Sequence, residues 1–493
     1  MGTYASGERR RSAAVREWLL VVAMIVTAWW PAVAVGVPAV LYLAPGHDWG
    51  FALVALPMLF AARAVAAGRE PPPGHAVRPD DEPELATLVR EVARRLGFRA
   101  PLLVRVVPEP VAAVAAFRVE GARTHVMLLG MPFLRSLTEA QLAAVIAHEL
   151  SHAGRGRDRR AEWLDRSRTL LDDRLDGYLR PLFAPLAVPL LRASQPAVWR
   201  AEAAADAAAA RVAGTAATAE ALTRTGLIQA AYDGLGVRWL LALAEDGAYP
   251  EDFYDALDTA LSDPHVADAM ARYAAEQESL DPYGAAGHPP ADVRVAALPD
   301  VVPSVASVFR DVPLRTERGA AYERWCVERL GDPEGPAPRE DAEPRPERLL
   351  DLDPERLRTL VDAALDGPGP LPLLVVTGEP TPARAVSAAL DAVADGGRSR
   401  LARQLEPGLR RMPSGIRPTV EGEVLAGAMS VPLVALLREA GWTHPVRWLS
   451  GVMAAPDGTT VDLHDLLTRA LDSGDQAPVR ALLTAAGTKE VSL

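Results

Sequence analysis

Two long uncharged runs near the N-terminus constrain this chain more than any other feature. Trp18 to Ala44 runs 27 residues without a charge, and Trp49 to Ala67 adds 19 with only Arg63 inside. About 20 apolar residues cross a bilayer as a helix. Pro45-Gly46-His47-Asp48 between the runs is too short for anything but a reversal, so the pattern predicts a transmembrane helical hairpin over 18–67. A cleaved signal peptide is the competing reading, but it has an apolar core of about 7 to 15 residues and no second span directly after it. Arg9, Arg10, Arg11 and Arg16 precede the first run, while the turn carries no Lys or Arg. That asymmetry puts the basic arm 1–17, and everything after Ala67, in the cytoplasm. The expectation is an integral protein of the plasma (inner) membrane with the bulk of the chain, after Ala67, on the cytoplasmic side.

Composition narrows the function. With 49% hydrophobic and 24% charged residues among 493, the chain is too apolar to be disordered. Its net charge of -12 lacks the basic footprint that phosphate recognition needs, which argues against nucleic acid as a partner. The single cysteine, Cys326, forms no internal disulfide. Oligomeric state is not legible.

After Pro71-Pro72-Pro73-Gly74, Leu85, Leu88, Val89, Val92 and Leu96 recur at helical spacing and Gly97 closes the helix. Leu102–Val107, Val111–Val119 and His125–Leu129 read as three strands of a small sheet. Ser136 and Glu139 suggest a capping box for the next helix, which runs through Leu142, Val145 and Ile146 to Gly154. A charged helical stretch follows over 158–178. Then comes Pro181 to Leu191, apolar but too short to span, which fits a membrane-surface segment, a cover over the active site, or a buried loop. Arg200–Ala213 is an alanine-rich helix. The expected organisation is a metal-dependent domain over 68–300, a Pro- and acid-rich linker over 301–350, and a separate C-terminal α-rich α+β domain over 351–493, with a strand at Leu373–Val376 and a hairpin turn at Pro456-Asp457-Gly458.

His148-Glu149-Leu150-Ser151-His152 matches HExxH inside a segment already helical by its apolar spacing. The i, i+4 interval puts both imidazoles on one helix face, where they can hold one Zn(II) ion per chain. Glu149 then faces the water that such a site activates, as a general base. The alternative is a solvated helix face, but the preceding residues are apolar and alanine-rich, as in a buried helix. A catalytic zinc takes three protein ligands, so a third must come from elsewhere. Glu202 is the best candidate. It lies in Ala201-Glu202-Ala203-Ala204-Ala205-Asp206-Ala207, where two carboxylates interrupt an uncharged run, and buried carboxylates need a partner or a metal. Asp206, one turn on, would fix the tautomer of His148 or His152 through the second ring nitrogen. Glu162 and Asp165 sit among many charges and read as solvated ion-pair partners. Gly287-His288-Pro289-Pro290, followed by Arg294, offers a rigidly held donor for an oxyanion and a second cation, with a helix-capping loop as the alternative.

Taken together, these residues resemble the HtpX-like membrane metalloproteases, the family that also includes the CAAX prenyl endopeptidases. The resemblance rests on the N-terminal hairpin, Leu137–Leu142 leading into His148–His152, Glu202-Ala203-Ala204-Ala205-Asp206, and His288-Pro289-Pro290 with Arg294. It covers Trp18 to Leu298 and leaves the C-terminal part unexplained. It implies an α+β fold: the membrane hairpin and a mainly helical zincin-type domain with a small sheet. It further implies a zinc endopeptidase of the gluzincin type, with ligands His148, His152 and Glu202, general base Glu149, and substrate or transition-state contacts at His288 and Arg294. The family pairs extended substrate with a sheet-edge strand before the metal helix, which here would be Val126, Met127, Leu128 and Leu129. Two departures stand out: Ala115-Ala116-Phe117 where members often carry Asn-Ala-Phe, and only Pro181–Leu191 where many members thread two more membrane segments.

The leading function is therefore hydrolysis of peptide bonds in membrane or misfolded proteins at the cytoplasmic face, with a protein or peptide substrate and the bilayer as partners. Alternatives are a processing protease for one lipidated or signalling substrate, and a non-catalytic membrane scaffold whose C-terminal domain binds partners.

Overall fold

A computed structural model describes residues 14–30, 71–119, 122–154, 159–175, 180–281, 283–301, 309–331, 345–366 and 371–487. The chain forms two compact units, one from Met1–Ile228 with Tyr283–Cys326, the other from Gln229–Pro282 with Val327–Leu493. This division differs from the expected succession of 68–300, 301–350 and 351–493. Residues 229–282 group with the late part of the chain because Trp239 packs on Phe253 and on Trp448, and Ala248–Pro250 pairs in parallel with Arg345–Glu347. Part of the expected linker is also regular structure, the helix Gly319–Gly331.

In the first unit, helix α1 (14–30) is the only part of the expected hairpin among the described residues; the rest of 18–67 lies outside them. Its Val21, Met24 and Ala28 are buried, whereas Val15, Trp18, Leu19, Val22 and Val26 form an exposed apolar stripe. Among the described residues, one helix is long and apolar enough to cross a membrane, Arg417–Glu439 in the second unit. Its Leu425, Met429, Leu433 and Leu437 are fully buried in that unit's helical core.

Four strands form the sheet of the first unit: β1 (His75–Val77), β2 (Leu102–Val107), β3 (Ala112–Val119) and β4 (Ala122–Gly130), in the order β1-β2-β4-β3. Strand β4 pairs in parallel with β2 and antiparallel with β3. Helix α2 (Pro83–Leu96) buries Leu85, Leu88, Val89 and Val92 and stops at Gly97, whose φ of 68° suits the left-handed cap. After α3 (Met131–Ser136) comes α4 (Glu139–Gly154), the helix of the two histidines. Its capping box is Thr138 and Gln141, whose backbone N–H and side chain bond reciprocally at 3.1 and 3.3 Å, not Ser136 and Glu139. Ser136 ends α3, and Glu139 instead accepts from Arg310 at 2.6 Å.

Helix α5 (Arg159–Leu175) leads to α6 (Arg180–Ala213), a single 34-residue helix. Pro181–Leu191 is therefore the start of α6, neither a loop nor a separate surface segment. Phe183, Ala187 and Leu191 pack with Val21, Met24, Leu164 and Leu171 to form one apolar cluster of α1, α5 and α6.

Within the second unit, Leu373–Val376 is helical, not a strand, because Pro372 starts a one-turn helix and Gly378 caps it at φ 71°. The hairpin at Pro456–Gly458 is present, joining Val452–Ala454 to Thr460–Asp462.

Gly130 ends β4 where the chain turns into α3, and a Cβ there would lie 2.2 Å from the Glu109 carbonyl oxygen and 2.7 Å from the Val111 nitrogen. Both obstacles are backbone, so Gly130→Ala is expected to destabilise the protein by about 1–3 kcal/mol. A thermal melt unchanged from wild type would contradict this close approach.

Candidate metal centre

The site is made where α4 meets α6, and small side chains set the distance between them. Ala143, Ala144 and Ala147 on α4 and Ala205, Ala208 and Ala209 on α6 are all buried, and the two helices pack against each other. Across this packing a carboxylate on α6 reaches the imidazoles on α4.

Three candidate ligands converge. Nε2 of His152 lies 3.1 Å from Nε2 of His148, and Glu202 places Oε1 3.1 Å from His152 Nε2 and Oε2 3.5 Å from His148 Nε2. Zn–N and Zn–O bonds of about 2.0–2.1 Å in a tetrahedron separate neighbouring donors by about 3.3 Å. These three separations, made with both carboxylate oxygens of Glu202, bracket that value, and a two-imidazole, one-carboxylate set suits zinc. Glu202, 4% exposed, is in the metal-ready position expected of it.

Asp206 is 3% exposed and lies beyond His148, with Oδ1 2.9 Å from Nδ1. The approach is close but not aligned as a hydrogen bond. Asp206 also takes both arms of the Arg294 guanidinium, at 2.8 and 3.0 Å. Arg294 therefore faces a carboxylate of the site, and its nearest oxygen on Glu202 is 3.8 Å away. His288 Nδ1 lies 2.8 Å from Glu202 Oε2, with 70% of its side chain exposed. All the residues expected to make up the site on the metal side are thus brought together.

The expected substrate edge is not. Val126, Met127, Leu128 and Leu129 belong to β4, which has a neighbour on each side, and three of the four are fully buried. The long strand at the edge is β3, which runs beside α4 and carries Ala115, Ala116 and Phe117. A hairpin order of β2, β3, β4 in sequence hides this, since the last strand inserts between the other two.

Charge is concentrated here. Burial pulls the Glu202 carboxyl upward, yet hydrogen bonding to His148, His152 and His288 holds it well below the usual carboxylate range. Asp206 is likewise lowered against its burial, by His148 and Arg294. At His148 burial opposes the charged ring, but Asp206 and Glu202 outweigh it and lift the pKa to about 9. Glu149 goes the other way: burial raises its carboxyl, with Glu202 adding to the effect against the pull of His148 and His152.

Residues 79–171 match the model of Peptidase family M48. M48 covers both the HtpX and the CAAX proteases, and the match indicates a metallopeptidase without choosing between them. No curated protein and no solved structure matches the chain. The M48 segment contains β2, β3, β4, α4 and both histidines but ends before Glu202, Asp206, His288 and Arg294, so these four are joined to it by geometry alone.

Two residues at the rear of the site escaped the sequence reading. Arg168 is 4% exposed and Trp199 half-buried, and both donate to the backbone just before His288. Arg168 sits in a charged stretch, but its position four after Leu164 and three before Leu171 marks the buried face of α5. A second mixed group, Glu276, Glu423 and His464, occurs in the other unit. It is partly exposed, and His464 and Glu423 already pair at 3.4 Å.

Two outcomes follow for the metal. Glu202→Ala is expected to lower zinc affinity by at least two orders of magnitude, read by competition with a chelator; unchanged affinity would point to another ligand. A metal-free protein carries a proton on His148 at pH 7, which the metal must displace. Zinc titration calorimetry in buffers of different ionisation enthalpy should show about one proton released at pH 7 and affinity rising with pH up to about 9. Absence of proton release would contradict the protonated state.

Proposed function

We propose that the protein is a membrane-anchored zinc endopeptidase of the gluzincin type, acting on membrane or misfolded proteins at the cytoplasmic face. The observation that carries the reading is the convergence of His148, His152 and Glu202 beside a half-buried Glu149. A zinc ion held by these three residues would supply Lewis acidity and lower the pKa of water at the site. Glu149 takes the proton of the attacking water and returns it to the departing amine; burial raises its pKa toward the working range, which suits both halves of that task. Asp206 faces His148 Nδ1 at 2.9 Å and is itself held by Arg294, so a fixed carboxylate stands behind the ligand ring. The exposed side chain of His288 reaches past Glu202 and is the donor available to a developing oxyanion.

Substrate would add to the sheet as a strand along the open side of β3, adjoining the metal helix. Ala115 and Ala116 are exposed there, so recognition relies on backbone hydrogen bonds with no amide side chain to assist. The membrane part of the proposal is supported by the uncharged runs over 18–67 and the outward apolar stripe of α1. The arginines at 9, 10, 11 and 16 support the cytoplasmic face.

The test is cleavage of casein, or of the protein itself, in detergent. Glu149→Gln should keep full zinc content while kcat/KM falls by about 10²–10⁴. Equal cleavage by wild type and variant would remove Glu149 as the base, and full zinc occupancy with no cleavage by wild type would end the peptidase reading.

A further inference from the structure

The loop Tyr283–Pro290 has no regular secondary structure, yet it delivers the His288 ring to within 2.8 Å of Glu202. A loop without a hydrogen-bond ladder keeps such a placement only if other groups fix its backbone. Three side chains from α5 and α6 do so. Arg192 Nε donates to the Tyr283 carbonyl, Arg168 Nη2 donates to the Ala285 carbonyl at 2.6 Å, and Trp199 Nε1 donates to the Ala286 carbonyl at 3.0 Å.

Two of these anchors are placed to act on the site. Trp199 lies three residues before Glu202 on α6, so one helix face carries both the third ligand and a tether for the loop beside it. Arg168 is buried, and its Nη1 also bonds the Leu191 carbonyl at 2.8 Å and Ser194 Oγ, so its guanidinium is fixed before it reaches the loop. A planar fork held at one end is a rigid arm, which a lysine ammonium on a flexible stem does not reproduce. The flanking Leu164 and Leu171 pack in the apolar cluster with α1, which ties the arm's base to that cluster.

We infer that Arg168 and Trp199 are positioning residues that hold the Ala285–Ala286 carbonyls and thereby present His288 at the metal site. Neither touches the ligand triangle; both act through two or three residues of backbone. The consequence for catalysis rests on the peptidase reading above, whereas the tether itself does not.

The experiment has one arm for each. Trp199→Phe keeps an aromatic ring but removes the donor N–H together with the five-membered half of the indole; Arg168→Lys keeps the charge and loses the fork. In zinc-loaded full-length protein, amide hydrogen exchange over 283–290 should rise at least tenfold in both variants, with the α4 peptide unchanged. Unchanged exchange in the well-folded Trp199→Phe protein would overturn the tether whatever the activity. In the cleavage assay, kcat of Trp199→Phe should fall about tenfold with KM and zinc content retained. Placed in a His288→Ala background, Trp199→Phe should cost nothing more, because it acts through that ring. Additive losses would overturn the assignment to His288. If wild type binds zinc but cleaves nothing, the peptidase reading fails, and the exchange arm still decides the tether.

Discussion

The close approach of α4 and α6 is the constraint on which the centre depends. Glu202 on α6 reaches the imidazoles of α4 only because the two helices pack directly on each other. Burial at this contact costs free energy for each carboxylate, and the cost is met by specific partners: His148, His152 and His288 for Glu202, His148 and Arg294 for Asp206. At Glu149 burial outweighs the pull of His148, His152 and His288 and pushes the carboxyl toward its neutral form. Carboxylates within one small volume therefore differ in acidity because of what faces each of them, and the division matches the difference between a ligand and a proton carrier.

Asp206 has a structural weight that its distance from the ligand triangle conceals. It lies between His148 on α4 and Arg294 on the short helix Ala291–Ala296, so one carboxylate faces both the ring and the exit of the loop. Arg294, expected at the substrate, has its Nε and Nη2 engaged by Asp206. His288, mostly exposed, keeps the outward position that a substrate contact requires.

Much of the centre was legible because its signals are local. HExxH on an apolar helix, and two carboxylates inside a run of alanines, each announce a buried polar group that must be satisfied. Helix α2 and its Gly97 cap, and the turn at Pro456–Gly458, were legible for the same reason. What escaped depends on pairings between distant segments. The strand order puts β4 inside the sheet and leaves β3 at the rim, a fact no single strand's pattern contains. Trp239 finds Trp448 across two hundred residues, which moves 229–282 out of the expected domain. Arg168 reads as one more surface charge in a polar helix until its neighbours along the buried stripe are counted. The capping box shifted by two residues because Ser136 was already engaged in ending a short helix that the pattern did not separate from the next.

Chain order has a bearing on biogenesis. All three candidate ligands precede Ile228, but His288 and Arg294 are translated only after the excursion over 229–282, which belongs to the other unit. A nascent chain long enough to capture an ion through its first 228 residues still leaves Asp206 without its guanidinium and the cleft without its outer imidazole. The set of side chains around Glu202 and Asp206 is thereby complete only once more than half of the polypeptide has emerged.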